Sequence, residues 1–364
     1  MKIVLLAAAS SIHTVRWANG LSASGHQVHV ISQHAVSEPF DPAVNLHRLP
    51  FRGRVGYFTS VWAVRKLLKQ IKPDLVNAHY ASGYGTTARL VGYHPWLLSV
   101  WGSDIYDFPH QSFLHKWLVV TNLRAADKVA STSHCMAKET LRLVPEIPEI
   151  AITPFGVDLN VYQKLTPILV RQKPMLVIDT VKTMSHKYGI DTLIEAYALL
   201  VKRLEQIPDH PAVVLRLIGG GEQTPELQAL AERLGVANQT HFIGRIPHCQ
   251  VPQELEQLDI YVALSRLDSE SFGVAIIEAS AAGRPVIVSN VGGLPEVTLN
   301  NTTGFIVPKE SPQAAADALE KLVINAQLRH RMGQAGQQHV TQHYAWDTCI
   351  DTMLNLYEKI IKKA

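Results

Sequence analysis

Leu267-Asp-Ser-Glu-Ser-Phe-Gly-Val-Ala-Ile-Ile-Glu-Ala-Ser-Ala-Ala-Gly-Arg-Pro-Val-Ile-Val-Ser289 reads as loop, helix, turn and strand. Asp268, Ser269 and Ser271 are N-cap residue types. The apolar block from Phe272 to Ala282 supplies the helix. Gly283 suits the left-handed position after a helix, and Pro285 cannot continue one. Val286-Ile287-Val288 then has the uninterrupted apolar character of a short strand buried on both faces. A helix running directly into a buried strand is the unit from which parallel α/β sheets are built.

The same stretch carries chemistry. Glu270 and Glu278 lie eight residues apart. With Glu270 in the loop and Glu278 one or two turns into the helix, both can border one ligand. Between them, the amides of Ser271, Phe272 and Gly273 form a positive helix start suited to a phosphate. Gly273 allows close approach to the backbone. Taken alone, the pattern also fits an ordinary αβ unit flanked by two solvated carboxylates. Glu278 argues against that, because it stands inside the apolar block and a buried carboxylate needs a partner.

Working outward, Lys2-Ile-Val-Leu-Leu is a strand, His13 to Ser24 a helix stopped by Gly25, and Val28-His-Val-Ile a second strand. This βαβ start predicts a parallel, doubly wound sheet. The turn Ala8 to His13 lacks the glycines of a dinucleotide fingerprint, so nicotinamide hydride chemistry has no support. Ser10 and Ser11 can still offer amides and hydroxyls to a phosphate. A second αβ series begins at Met175-Leu-Val-Ile, after a linker expected at Tyr162 to Pro174.

The 364 residues suffice for two domains with separate cores. The expected division is 1–165 and 166–345, with a helix at 346–364 returning to the first domain. Charged residues at 18% and apolar ones at 47% indicate a folded chain. Met1 to Ser11 has the outline of a short signal peptide. The helical, Arg- and Trp-bearing stretch that follows at once favours a buried first strand instead. Apolar runs such as Ile3 to Ala9 are too short to span a bilayer. Cys135, Cys249 and Cys349 are distant and odd in number, which fits a reducing compartment rather than a disulfide framework. The seventeen histidines show no metal-ligand spacing.

Charge is uneven. Residues 1–165 hold 16 Lys+Arg and 10 Asp+Glu, a balance of +6; residues 166–364 hold 18 and 21, a balance of −3. A basic first half points to an anionic partner. Nucleic acid is not favoured, since no nucleic-acid motif is present. Phe51 to Lys72 interleaves six cations with Phe51, Tyr57, Phe58 and Trp62. That mixture suits an anionic membrane surface, and equally a helix whose apolar stripe packs inward.

Several blocks, in one order, resemble a family. Glu270-Ser-Phe-Gly followed by Glu278 is similar to the E-x7-E signature of retaining glycosyltransferases with the GT-B fold, of the family 4 type. Gly292-Gly293-Leu294-Pro295-Glu296, Gly304-Phe-Ile-Val307 and Pro154-Phe-Gly-Val-Asp158 continue the pattern. The resemblance implies two Rossmann-like α/β domains facing across a cleft. It implies transfer of a sugar, with retained configuration, from a nucleotide diphosphate sugar to a hydroxyl of a glycan or lipid-linked acceptor. A UDP-sugar is the expected donor. Lys187 matches the family lysine on the donor diphosphate, and Lys182 falls where arginine is commoner, keeping the charge without the bidentate fork. Glu270 is implied beside the sugar and Glu278 at the ribose. Gly244 and Arg245 lie in the segment that holds the base, and Ser10 and Ser11 in the loop that faces the donor. His13, Trp101 and Asp104 are the acceptor candidates. Trp101 stands where the family often has a histidine, so that residue's contact is not carried over.

No cofactor or metal is expected, because two cations and a helix start serve the diphosphate and no Asp-x-Asp motif occurs. The expected location is cytoplasmic, with peripheral association on the inner face of the membrane. Two alternatives stay open at this point. A nucleotide-sugar 2-epimerase shares the architecture and needs no acceptor. A non-catalytic glycan- or lipid-binding subunit is the other, which the intact Glu270, Glu278 and Lys187 disfavour.

Overall fold

A computed structural model describes residues 1–162, 164–165 and 175–363. These fall into two compact units, Met1–Pro154 with Thr348–Ala364, and Phe155–Asp347. The structure thus puts the division ahead of the expected linker, most of which lies outside the described residues. The last helix, Trp346–Ile361, belongs to the first unit from Thr348 onward. There Asn77 donates to the buried Tyr357 hydroxyl at 2.8 Å.

The first unit holds β1 (Lys2–Leu6), β2 (Gln27–Ser32), β3 (Asn45–Arg48), β4 (Leu75–His79), β5 (Trp96–Val100), β6 (Lys128–Ser131) and β7 (Ile150–Ile152). They form one seven-stranded sheet in the order β3-β2-β1-β4-β5-β6-β7, with every pairing parallel. The second unit holds β8 (Met175–Val181), β9 (Ala212–Ile218), β10 (Thr240–Gly244), β11 (Ile260–Ala263), β12 (Val286–Ser289) and β13 (Gly304–Val307). Its order is β10-β9-β8-β11-β12-β13, again all parallel. Both are Rossmann-like sheets whose strand order reverses beside the first strand, and such sheets take ligands at the carboxyl ends of the strands flanking that reversal.

Central strands are mostly apolar because helices cover both faces: Ile3 to Leu6 and Val286 to Val288 are fully buried, while Asn77 and His79 of β4 and Asp179 of β8 are buried polar exceptions. Each unit has its own core. In the first, Val64 and Leu68 of helix Val61–Ile71 pack on Val4, Val76 and Leu98. In the second, Leu193, Tyr197 and Leu200 of helix Ile190–Leu204 pack on Ile178, Leu215 and Leu319.

Residues Tyr80–Tyr84 form one turn of π-helix before helix Gly85–Val91, and Tyr80 takes a left-handed φ of 69°. One local expectation changes. Helix Val274–Ala281 is capped by Gly273, at φ 93°, and not by any of the N-cap types before it. A Cβ on Gly273 would stand 2.9 Å from Ile276 Cδ1 and 3.0 Å from Leu294 Cδ2. Sterics and a positive φ together reserve that position for glycine.

Candidate functional site

The reversal in the second sheet lies between β8 and β11, which pair through Ile260↔Ile178 and Tyr261↔Asp179. Lys182 is the first residue beyond β8, and the loop beyond β11 carries Glu270. The Lys182 ammonium meets Glu270 Oε1 at 2.5 Å, and the Lys187 ammonium lies 3.7 Å from Oε2. Tyr188 lies beneath both cations, its ring centre 5.1 Å from Lys182 Nζ and 5.5 Å from Lys187 Nζ. Only 9% of the Lys182 side chain and 12% of the Glu270 side chain remain accessible.

Burial works against both charges, but the partners prevail. Desolvation alone would lift the Glu270 carboxyl, yet the fields of Lys182 and Lys187 hold it below its ordinary range. Desolvation would likewise lower Lys182, and the Glu270 carboxylate pushes it up instead. Two ammoniums and one carboxylate leave the trio with a net charge of +1. This is a fixed positive centre set at the switch point of a sheet.

Glycines make the surrounding turns possible. The Gly293 amide donates to the Glu270 carbonyl at 3.1 Å, and the Gly292 amide to Asp268 Oδ1 at 3.0 Å. A Cβ on Gly293 would stand 2.0 Å from the Ser271 carbonyl oxygen, and one on Gly292 2.4 Å from that of Glu270. The Gly292-Gly293 pair therefore clamps the loop that presents Glu270. A Cβ on Gly219 would fall 1.9 Å from the Lys182 carbonyl oxygen and one on Gly221 2.2 Å from that of Met184. The three-glycine turn after β9 thus lies directly against the Lys182 loop. Gly244, at φ 83°, accepts from the Gly219 amide at 2.8 Å, and the exposed Arg245 side chain lies over Gly220. The expected base segment is therefore brought to the same turn.

Glu278 is buried and meets His248 Nε2 at 3.2 Å. His248 precedes helix Val251–Gln257, and no spacing in the sequence connects it with Glu278. Ser271 and Phe272 are buried. The Phe272 ring stands edge-on to Phe155 and Tyr344, with centroids 5.6 and 5.7 Å away. Its side chain is a packing element, so any ligand contact of Phe272 must come from its backbone.

The remaining candidates lie in the first unit. The Ser10 carbonyl accepts from the Ser37 hydroxyl at 2.8 Å, and Ser11 precedes helix Ile12–Ala23 without a side-chain cap bond. His13 lies edge-on to Trp101, with centroids 6.0 Å apart, and the buried His79 ring is 4.2 Å from the same indole. Burial pushes His79 down to about 3, so it is neutral at physiological pH. Asp104 needs correction as an acceptor contact. It is buried, one oxygen accepts from the Ala81 amide at 2.8 Å, and the other accepts from the amides of Gly102 at 2.9 Å and Trp101 at 3.2 Å. Its carboxylate holds the turn after β5 to the turn after β4.

Among the described residues, no group of three or more His, Cys, Asp or Glu is placed to hold a metal ion. No described helix is long and apolar enough to cross a membrane.

Residues 164–339 match the family model described as glycosyl transferases group 1, and residues 2–133 the model described as glycosyl transferase 4-like. The chain is 34% identical over 165 residues to the GDP-mannose-dependent alpha-(1-6)-phosphatidylinositol monomannoside mannosyltransferase of Mycobacterium tuberculosis, covering 44% of this chain and 41% of that one. It is 30% identical over 246 residues to the D-inositol 3-phosphate glycosyltransferase of Kribbella flavida, covering 65% and 57%. The chain thus spans about half the length of these relatives. Sucrose-phosphate synthase from Thermosynechococcus elongatus superposes with a TM-score of 0.84 at 20% identity, over 100% of both chains. That likeness establishes the GT-B fold.

Proposed function

Because the chain belongs to the glycosyl transferases group 1 family, we propose that it is a retaining glycosyltransferase. It moves a sugar from a nucleotide diphosphate donor to a hydroxyl of a glycan or lipid-linked acceptor. The observation that carries this reading is the Lys182–Glu270–Lys187 trio at the switch point of the second sheet. As the sugar leaves, negative charge develops on the diphosphate and positive charge on the ring. Fixed charges of both signs, held apart from water, stabilise such a pair without reorganising. The lysines and the amides before Val274 face the diphosphate, Glu270 faces the ring, and Glu278 accepts from the ribose hydroxyls. The second unit binds the donor and the first the acceptor. The cations do this work without a divalent metal, so chelation is expected to leave turnover unchanged.

Uridine is the base expected from the sequence. Guanosine is its competitor, supported by the name of the mycobacterial mannosyltransferase. Calorimetric titration with UDP and with GDP decides between them. With the preferred nucleotide, Lys187→Ala loses a charge-assisted phosphate contact and binds about tenfold more weakly. Glu278→Ala weakens binding with little change in turnover of bound donor, since ribose contacts serve ground and transition states alike. Unchanged affinity in both variants would remove the donor assignment.

Peripheral association with the inner face of the cytoplasmic membrane belongs to the same proposal. Each Lys or Arg close to an anionic surface contributes about 1 kcal/mol. Co-sedimentation with anionic liposomes at low salt, lost at moderate salt and absent with neutral liposomes, is the expected result. Failure to sediment with anionic liposomes at low salt contradicts it.

A further inference from the structure

Helices Gly53–Thr59 and Val61–Ile71 are joined through Ser60, which keeps right-handed helical angles. Spacings of three and four residues bring Val55, Phe58, Trp62, Lys66 and Lys69 onto one face, and all five are exposed. Val64, Leu68 and Ile71 face inward. The apolar side chains here therefore divide between core and solvent, and Trp62 is 77% exposed. Helix Phe113–Ala125 repeats the theme: Phe113 is 80% exposed, Leu114 73%, and Trp117 one turn on is also exposed. Contiguous apolar surface of this kind on a folded protein marks an interaction site.

The two surfaces meet at one cavity of about 580 Å³, within the range of small-molecule sites. Phe58 and Leu114 both line it and stand exposed, which places them at its mouth. Tyr57, Tyr84, Phe108 and Leu118 form apolar walls, and Ala8, Tyr80 and Ser103 bring in the turns after β1, β4 and β5. A single cavity thus runs between an exposed apolar face and the ligand-binding edge of the first sheet. Its charge is one-sided. Arg54 lines it, Arg52, Lys66, Lys69 and Lys116 lie on the flanking helices, and residues 51–72 and 108–125 contain no Asp or Glu. An apolar slot with exposed aromatics at its mouth and an excess of cations complements an amphiphile with an anionic head. Asp107, just before Phe108, is the one exposed carboxylate adjoining the lining in sequence; five cations against it disfavour a protein partner, which would bring charges of both signs.

We propose that this cavity takes the hydrocarbon chain of a phosphate-bearing lipid, with Arg54 on the phosphate and Phe58, Trp62, Phe113, Leu114 and Trp117 resting in the bilayer surface from which the lipid enters. The identification of that lipid as the acceptor rests on the glycosyltransferase reading; the binding itself does not.

The test uses the whole chain and decyl phosphate below its micelle concentration, titrated by calorimetry, with inorganic phosphate and decyl maltoside as separate arms. Decyl phosphate is expected to bind, decyl maltoside to bind at least about tenfold more weakly, and inorganic phosphate not to compete. Leu118→Trp, which fills the cavity, is expected to weaken decyl phosphate about tenfold or more at unchanged melting temperature. Arg54→Ala, at an exposed position, is expected to weaken it about tenfold and to abolish the preference over decyl maltoside. Equal binding by both variants overturns the proposal, as does displacement by inorganic phosphate. A dimer in sedimentation analysis that Phe113→Ser dissolves would assign the face to a second copy and also overturn it. Nucleotide binding is measured in parallel. Loss of decyl phosphate binding with nucleotide binding intact defeats only the lipid slot, and the reverse defeats only the donor reading.

Discussion

Glu270→Gln is expected to lower turnover by about a hundredfold or more while leaving nucleoside diphosphate affinity within a few-fold. The amide keeps the shape but removes the charge that opposes the developing positive ring. The proposed role needs an ionised carboxylate, and Lys182 at 2.5 Å and Lys187 at 3.7 Å keep Glu270 ionised although it is largely buried. An acid limb governed by this group therefore falls below the ordinary carboxylate range, and its activity is flat across neutral pH. Steady-state kinetics beside calorimetry on the same variant measure both quantities. Near-normal turnover in a folded Glu270→Gln protein would end the catalytic assignment.

Lys182→Met is expected to destabilise the second unit by about 3 kcal/mol, because removing one partner of a buried ion pair strands the other charge. Lys187, at 3.7 Å and more exposed, relieves only part of this. The double variant Lys182→Met, Glu270→Gln should be more stable than Lys182→Met alone, since it removes the stranded charge as well as the pair. Folded Glu270 has its pKa depressed, so its contribution is present above the unfolded carboxylate value and is lost as pH falls through the lower folded one. In Lys182→Met that depression shrinks and the loss on acidification begins at higher pH. Urea unfolding of the parent and the two variants at neutral and acid pH reads both effects. If Lys182→Met unfolds at the same urea concentration as the parent, the pair is not the structural keystone described.

Much of the framework was legible because its determinants are local. The strands around Ile3 and Val286 announce themselves as unbroken apolar runs, since each is buried on both faces, and the one at Val28 is apolar but for His29. Gly283, at φ 71°, and Pro285 end the helix after Glu278 as their chemistry dictates. The E-x7-E spacing places Glu278 in a buried helix turn and Glu270 in the loop before it.

What was not legible depends on contacts between distant segments. The bond from Lys182 to Glu270 spans 88 residues and exists only because β8 and β11 are neighbours. His248 reaches Glu278 across 30 residues with no motif to announce it. Gly273 takes the cap position from better capping residues because the backbone there has φ 93°, which the turn imposes and local propensity does not announce, with Ile276 and Leu294 close beside it. Asp104, polar at a strand end, reads as a ligand contact until its backbone partners are seen. The exposed ridge Phe113, Leu114 and Trp117 lies in a run whose apolar content looks like core; only burial separates the two.

Transfer from a nucleotide sugar to an acceptor hydroxyl through the second unit's charged trio is tested by mass spectrometry after incubation with a panel of nucleotide sugars, each with and without a candidate lipid-linked or glycan acceptor. A glycosylated acceptor and an equal amount of nucleoside diphosphate are expected, both dependent on acceptor and both suppressed in Glu270→Gln, with the product's anomeric configuration matching the donor's. An epimerised nucleotide sugar appearing without acceptor, or product formation undiminished in Glu270→Gln, would contradict it.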